Sequence, residues 1–292
     1  MKKLGITFVA ILLGVGCFAL SSAAQASANA AHQPRYRQID FPGASLTTPN
    51  AINARGEIVG IYFDSSGNPH GFLLSNGAFT SIDVPGAIFT LAFGITAEGQ
   101  IVGGYLDSSG NINGFLLSNG TFITIDVTGT TFTLLDGINL QGDMVGDYRD
   151  SDDNVHGFLL SKGAFTAIVV PGATSTDVES INPRGDIVGL YNDTNGNPHG
   201  YLLSNGAVTT IDVPGAAQTL GAFGINPQAD VVGSYVDGSG NDQGYLFSNG
   251  SYTTIEVPGA VFTDANGINL RGDIVGDYGD SSNSVHGFLI RQ

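Results

Sequence analysis

The sequence has a single cysteine, Cys17, and it lies within the first 26 of 292 residues. Beyond that point no disulfide and no thiolate metal site can form, so the fold must rest on an apolar core. A chain of this length can bury one. Positive charge is also scarce. Ten Lys and Arg face 26 Asp and Glu, for a formal net charge of −16, and Lys162 is the only lysine after Lys3. Such a surface repels nucleic acid, anionic membrane and phosphate-rich substrates, which all need basic patches. Helical periodicity is the third absence. Past residue 26 no stretch repeats apolar residues at helical spacing, and no apolar run approaches the roughly 20 residues of a membrane span.

The one long apolar run is at the start. Lys2 and Lys3 precede Leu4 to Leu20, and Ala24-Gln25-Ala26 supplies a small-x-small cleavage site, so residues 1–26 read as an export signal. The mature protein is then secreted or periplasmic, with no other membrane association. A lipoprotein acylated at Cys17 is the rival reading. Gly14 stands where an aliphatic residue is usual, and apolar Phe18-Ala19-Leu20 follows, both of which weigh against it. Residues 27–35 read as a flexible lead-in, and 36–292 as one domain, taken as a monomer.

What the chain has in plenty is repetition, which must be read before anything else. The glycine of an I-V-G run recurs at Gly60, Gly103, Gly146, Gly189, Gly233 and Gly276. A glycine before an aromatic recurs at Gly71, Gly114, Gly157, Gly200, Gly244 and Gly287. A Pro-Gly turn recurs at Pro42, Pro85, Pro171, Pro214 and Pro258, with Thr128 in the sixth place. Every step is 43 residues except one of 44, which places an inserted residue within Leu220-Gly221-Ala222.

Each unit holds four strand signals rich in β-branched and aromatic residues. In the first unit they are Thr47–Asn53, Glu57–Phe63, Pro69–Ser75 and Ala78–Val84. Asn76-Gly77 suits a tight hairpin turn, and Pro85-Gly86 the centre of a type II turn. Four antiparallel strands in about 40–50 residues is the size of a propeller blade. The expected architecture is all-β, a six-bladed β-propeller, with an open β-solenoid as runner-up. Tyr36–Phe41 matches a fourth strand only, whereas Asp264–Gln292 holds the first three. The N-terminal strand is therefore expected to complete the last blade and remove the open edge. A longer period overlies the first. Units one and four share Asn-Pro-His-Gly, two and five share Phe-Gly-Ile, and three and six share Val-Gly-Asp-Tyr, as if three blades had been duplicated.

With their G-I-N, I-V-G, H-G-F and P-G-A signatures, the units resemble the bacterial extracellular HAF repeats, named for a His-Ala-Phe signature. Here His-Gly-Phe replaces it at His70, His156 and His286. The resemblance covers Tyr36 to Gln292. It implies an exported bacterial repeat protein and brings no activity or catalytic residue with it.

The most repeated residues read as scaffold. Tyr62, Tyr105, Tyr148, Tyr191, Tyr235 and Tyr278 are expected to pack between blades. Asp40, Asp83, Asp126, Asp212 and Glu256, each before a Pro-Gly position, are expected to accept turn N–H groups, with Val169 in the remaining place. His70, His156, His199 and His286 share one repeat position with Asn113 and Gln243. A hydrogen-bonding role that ties turns together is preferred to a metal ring. Asp150, Asp152 and Asn154 begin a calcium-like pattern that then fails at Phe158, so an Asp-initiated turn is preferred and no cofactor is expected. Arg-Gly-Asp triplets at Arg184 and Arg271 resemble an adhesion signal but sit in turns.

Function is sought where the units differ. Two residues before the Ile of each innermost strand stand Asn50, Phe93, Asp136, Glu179, Phe223 and Asn266. Two further back stand Thr48, Leu91, Leu134, Asp177, Leu220 and Asp264. Alternate strand residues share a face. Asp136, Asp177, Glu179 and Asp264, with Asn50 and Asn266, are therefore expected at one mouth of the channel, where Phe93 and Phe223 face each other. Acids, amides and aromatics in a concavity suit a polar ring such as a sugar. The expected function is a non-catalytic binding protein for an extracellular glycan or other polar ligand. The alternative is a glycan-cleaving hydrolase or lyase using Asp136, Asp177, Glu179 or Asp264.

Overall fold

The computed structural model describes residues 35–291. The export signal, Cys17 and the lead-in up to residue 34 lie outside them. The described chain is all-β, with 24 strands in four sheets and no helix.

Strand β1 is Arg35–Ile39. The first unit follows as β2 to β5 (Leu46–Ile52, Ile58–Phe63, Pro69–Ser75, Ala78–Ile82), within two residues of the sequence expectation. The second unit is β6 to β9 (Phe89–Ile95, Ile101–Leu106, Ile112–Ser118, Thr121–Ile125), and the third β10 to β13 (Thr133–Ile138, Met144–Arg149, Val155–Ser161, Ala164–Ile168). The fourth is β14 to β17 (Ser175–Ile181, Ile187–Asn192, Pro198–Ser204, Ala207–Ile211). The fifth is β18 to β21 (Gln218–Ile225, Val231–Val236, Asp242–Ser248, Ser251–Ile255), and the sixth β22 to β24 (Phe262–Ile268, Ile274–Gly279, Val285–Arg291).

Within a unit each strand pairs antiparallel with the next. The fourth place of the sixth unit is filled by β1, antiparallel to β24 with Ile39 opposite Gly287. Single parallel bridges, His156 with Thr176 and Leu46 with Val285, join neighbouring units and produce the two eight-stranded sheets. The innermost strands touch in sequence from β2 through β6, β10, β14 and β18 to β22, and β22 touches β2.

The I-V-G run explains the packing. Successive strand residues point to opposite faces. Ile58 enters a cluster with Val275 and Leu289 of the sixth unit, whereas Val59 enters one with Ala92, Ile101 and Phe115 of the second. Each second strand is thus buried on both faces, and the core is a set of apolar seams between units. Gly60 has to be glycine, because an added Cβ would stand 2.8 Å from Phe72 Cε1 and collide with the Thr48 carbonyl. The inserted residue in β18 is Leu220, carried as an extra bulge between Thr219 and Gly221.

A buried asparagine links the units. Asn182 accepts from the N–H groups of Arg184 and Asp186 and donates to Asp186 and to the carbonyl of Asn226 in the next unit. Asn139, Asn226 and Asn269 repeat the cross-unit bond, and Asn269 donates to Asn53 of the first unit at 3.2 Å. Asn139, Asn226 and Asn269 close the G-I-N signature and Asn182 a Ser-Ile-Asn variant of it, a physical role that the repeat pattern alone did not disclose.

Candidate functional site

Scaffold roles can be assigned first. Tyr62 donates or accepts at Ser81 (2.7 Å), and its ring stacks on His70 at 5.1 Å. His70 Nδ1 lies 2.7 Å from Asp83, and Nε2 lies 3.6 Å from Asp64. His199 and His286 are held likewise, by Asp212 with Asp193 and by Asp40 with Asp280. Asp83, Asp212 and Asp40 therefore face histidines, not the turn N–H groups expected of them, and Asp126 accepts the Gly114 N–H of the neighbouring strand at 3.2 Å. The turn closes by itself, Ala87 N donating to Val84 O, while Val84 N donates to Thr90. In the third unit, where Val169 replaces the acid, His156 instead uses Nε2 on Asp150 at 2.7 Å.

That same Asp150 carboxylate accepts the N–H groups of Asp152 and Asn154, so its oxygens are engaged within the turn. In the Arg-Gly-Asp triplets Arg184 and Arg271 clasp their own Asp186 and Asp273, each carboxylate side chain under 10% exposed (8% and 6%). Neither triplet presents its acid to a partner.

The variable residues occupy a feature that sequence reasoning missed. In all six innermost strands the register slips around them: between Pro49 and Ala51, Ala92 and Gly94, Leu135 and Gly137, Val178 and Ser180, Ala222 and Gly224, Ala265 and Gly267. Asn50, Phe93, Asp136, Glu179, Phe223 and Asn266 are therefore bulge residues, released from the ladder and re-aimed. All six are half-buried. Backbones of adjacent bulges abut: a Cβ on Gly137 would stand 3.1 Å from Ser180 Cα. Asn50 and Asn266 reach across this contact and donate to Ala92 O (2.9 Å) and Pro49 O (3.1 Å). These two amides bridge units.

Three of the four candidate acids come together. Asp136 on β10 and Asp177 and Glu179 on β14 act on one another electrostatically, and Asp147 on β11 joins them. Asp147 lies opposite Leu134 in the β10–β11 register and accepts the Val178 N–H at 3.1 Å, across the seam between the third and fourth units. Burial, then the neighbouring charges, pushes Asp136 and Asp147 well above the usual carboxylate range. Glu179 is pushed up to about 8 by burial and by Asp177. Asp177 is also raised by burial, opposed by Arg149. The Arg149 guanidinium is turned to Asp153 (3.1 Å) and lies over the Phe132 ring at 4.6 Å. Tyr201 on β16 belongs to the same seam. It is fully buried, and its hydroxyl, with no hydrogen-bond partner, feels Asp147, Glu179 and Asp177.

Asp264 stands elsewhere. It faces Asp277 directly across β22 and β23. Ser234 donates its hydroxyl to Asp264, and Asn266 donates to Asp277 at 2.8 Å. Burial first, then Asp242, raises Asp264 to about 6, and burial with the Asp264 charge lifts Asp277 well above the ordinary range. Asp147, Asp277, Ser234 and Tyr201 were not among the sequence candidates. Their signal lay in the departures from the repeat: Asp at 147 and 277 where other units carry Ile61, Gly104, Leu190 and Ser234, and Tyr where four units carry Phe.

No protein-family model and no curated protein matches the chain. Solved structures do. A fucose-specific lectin from Aleuria aurantia superposes with a TM-score of 0.56 at 15% identity, over 85% of this chain and 93% of the lectin. A putative TolB from Agrobacterium tumefaciens gives 0.55 at 14% identity, over 85% and 90%. A gluconolactonase from Xanthomonas campestris gives 0.50 at 10% identity, over 94% and 99%. These are β-propellers, and at such identities the likeness is one of fold.

Proposed function

We propose that the protein is a closed six-bladed β-propeller, exported by a bacterium and related to HAF repeats, that binds an extracellular glycan at the mouth of its central channel. The order of contacts supports closure, since β22 touches β2 and β1 fills the fourth place of the last unit. The fold shared with a fucose-specific lectin makes carbohydrate the natural ligand class. The observation that carries the reading is the bulge. Every innermost strand breaks its ladder at the one position where the units diverge in chemistry. Scaffold alone has no need to free and diversify the same residue in all six units.

The test is retention of the protein, monomeric from Ser27 onward, on a panel of bacterial and plant polysaccharides, with release of reducing ends followed in parallel. A variant with Asp136→Asn, Asp177→Asn and Glu179→Gln is run beside it. Retention without release, lost in the variant, is expected. Absence of retention across a broad panel would remove the glycan reading.

A glycan-cleaving enzyme is favoured by one observation. Glu179, pushed up to about 8, keeps its proton at neutral pH, as a general acid must. Against it, Asp136, Asp147 and Asp177 are all pushed up as well, so the four carboxyls do not divide into a raised acid and a depressed partner. Sugar ends released by the protein and lost with Glu179→Gln alone would decide for the enzyme.

A further inference from the structure

We propose that the seam between the third and fourth units recognises a protonated primary amine, and that the glycan taken there is a hexosamine polymer with free amino groups. The proposal rests on the glycan-binding reading and narrows it. Four carboxyl groups, Asp136, Asp147, Asp177 and Glu179, lie on three mutually touching strands of two units, and Asp147 accepts the N–H of Val178, the residue between Asp177 and Glu179, at 3.1 Å. The groups facing them are Arg149 and the Tyr201 hydroxyl. Arg149 is already turned to Asp153 and Phe132.

Three groups there lack any hydrogen-bond partner: Arg149 Nε, whose guanidinium is turned to Asp153, and two that can accept, the buried Asp136 Oδ2 and the Tyr201 hydroxyl, on a side chain 0% exposed. The scaffold does not call for that hydroxyl. Phe72, Phe115, Phe158 and Phe288 fill the same place in other units, and Tyr245 in the fifth donates to Gly221 O at 3.0 Å. An unmet buried polar group is costly, and clustered like charges add to that cost. The Asp264–Asp277 pair on the sixth unit is different, since Ser234 and Asn266 already supply its donors.

What complements the seam is positive and rich in donors. A calcium or magnesium ion wants six or more oxygens about one point. Among the described residues no group of three or more acids or histidines stands in such an arrangement. An ammonium group makes a smaller demand. It fans three N–H donors toward acceptors at about 2.8 Å, and its positive charge favours loss of the carboxyl protons it meets, so that the bonds formed are charge-assisted. The half-buried bulge aromatics Phe93 and Phe223 offer apolar surface to sugar rings, and a surface of net charge −16 draws in a cationic polymer.

Titration calorimetry near neutral pH tests this with glucosamine oligomers, N-acetylglucosamine oligomers of equal length, a neutral glucan and spermidine. The free-amine oligomer is expected to bind at least about tenfold more tightly than its acetylated counterpart. That preference should vanish in Asp136→Asn with Glu179→Gln and weaken in Tyr201→Phe. It should survive in Glu98→Gln with Glu256→Gln, which removes the same charge from exposed sites. Thermal unfolding of each variant checks that it folds, and Tyr201→Phe should melt no lower than the parent. Equal binding of both oligomers, or of the glucan, overturns the amine assignment while leaving a glycan-binding protein. Spermidine binding as tightly as the oligomer overturns the sugar as the source of the amine. Binding of none overturns both.

Discussion

Asn182 shows how much a single side chain carries in this architecture. It joins two N–H groups of its own turn, one carboxylate and the next unit's backbone, while only 1% exposed. Asn182→Ala leaves those groups without partners and should destabilise the protein by about 2–3 kcal/mol in urea unfolding. Thr96 fills the same place in the second unit with a bond from Gln100 N, so Asn182→Thr should lose less. The asparagine was visible in the sequence as a repeated letter, but its function was not. Its carbonyl partner lies one whole unit away. The same holds for Asp147, whose V-G-D-Y context spoke of duplication. Only the strand register sets it against Leu134 and the Val178 N–H.

At the level of the strand, residue types announced the ladders and concealed the bulges. Alternation, Asn-Gly and Pro-Gly leave marks in composition, whereas an extra residue in one strand shifts the pairing without changing the letters. A bulge residue also contributes differently to stability. Phe115 is fully buried between the first and second units, and Phe93, on the bulge of the same unit, is half-buried. Phe115→Ala should cost about 3–5 kcal/mol in denaturant unfolding, and Phe93→Ala less than half of that. Phe93→Ala should instead appear as weaker glycan retention. The edge strands make a second contrast. β1 contributes a five-residue ladder to β24. A chain starting after Asp40 should expose the β24 edge, melt at lower temperature and self-associate in light scattering.

Across the whole molecule, acidic groups fall into two sets with opposite responses to pH. In the turns between second and third strands, Asp64, Asp107, Asp150, Asp193, Asp237 and Asp280 are held low by hydrogen bonds from their own turns, and in Asp150 first from His156. Groups held low stabilise above the unfolded value, and that contribution is lost as pH falls through the folded value. On the inner strands Asp136, Asp147, Asp177, Glu179, Asp264 and Asp277 are raised. Groups held high stabilise fully below the unfolded value, and that contribution is lost as pH rises through about 6 for Asp264 and about 8 for Glu179. The melting temperature should therefore peak at about pH 4–5 and decline toward alkaline pH. In Asp136→Asn with Glu179→Gln that alkaline decline should flatten, as differential scanning calorimetry would show.

The pairing of β1 with β24 also orders events in time. The strand synthesised first among the described residues waits for the strand synthesised last, so an interrupted chain is left with an orphan at one end and a bare seam at the other. Any such fragment offers its unpaired β1 to proteases until β24 has been made.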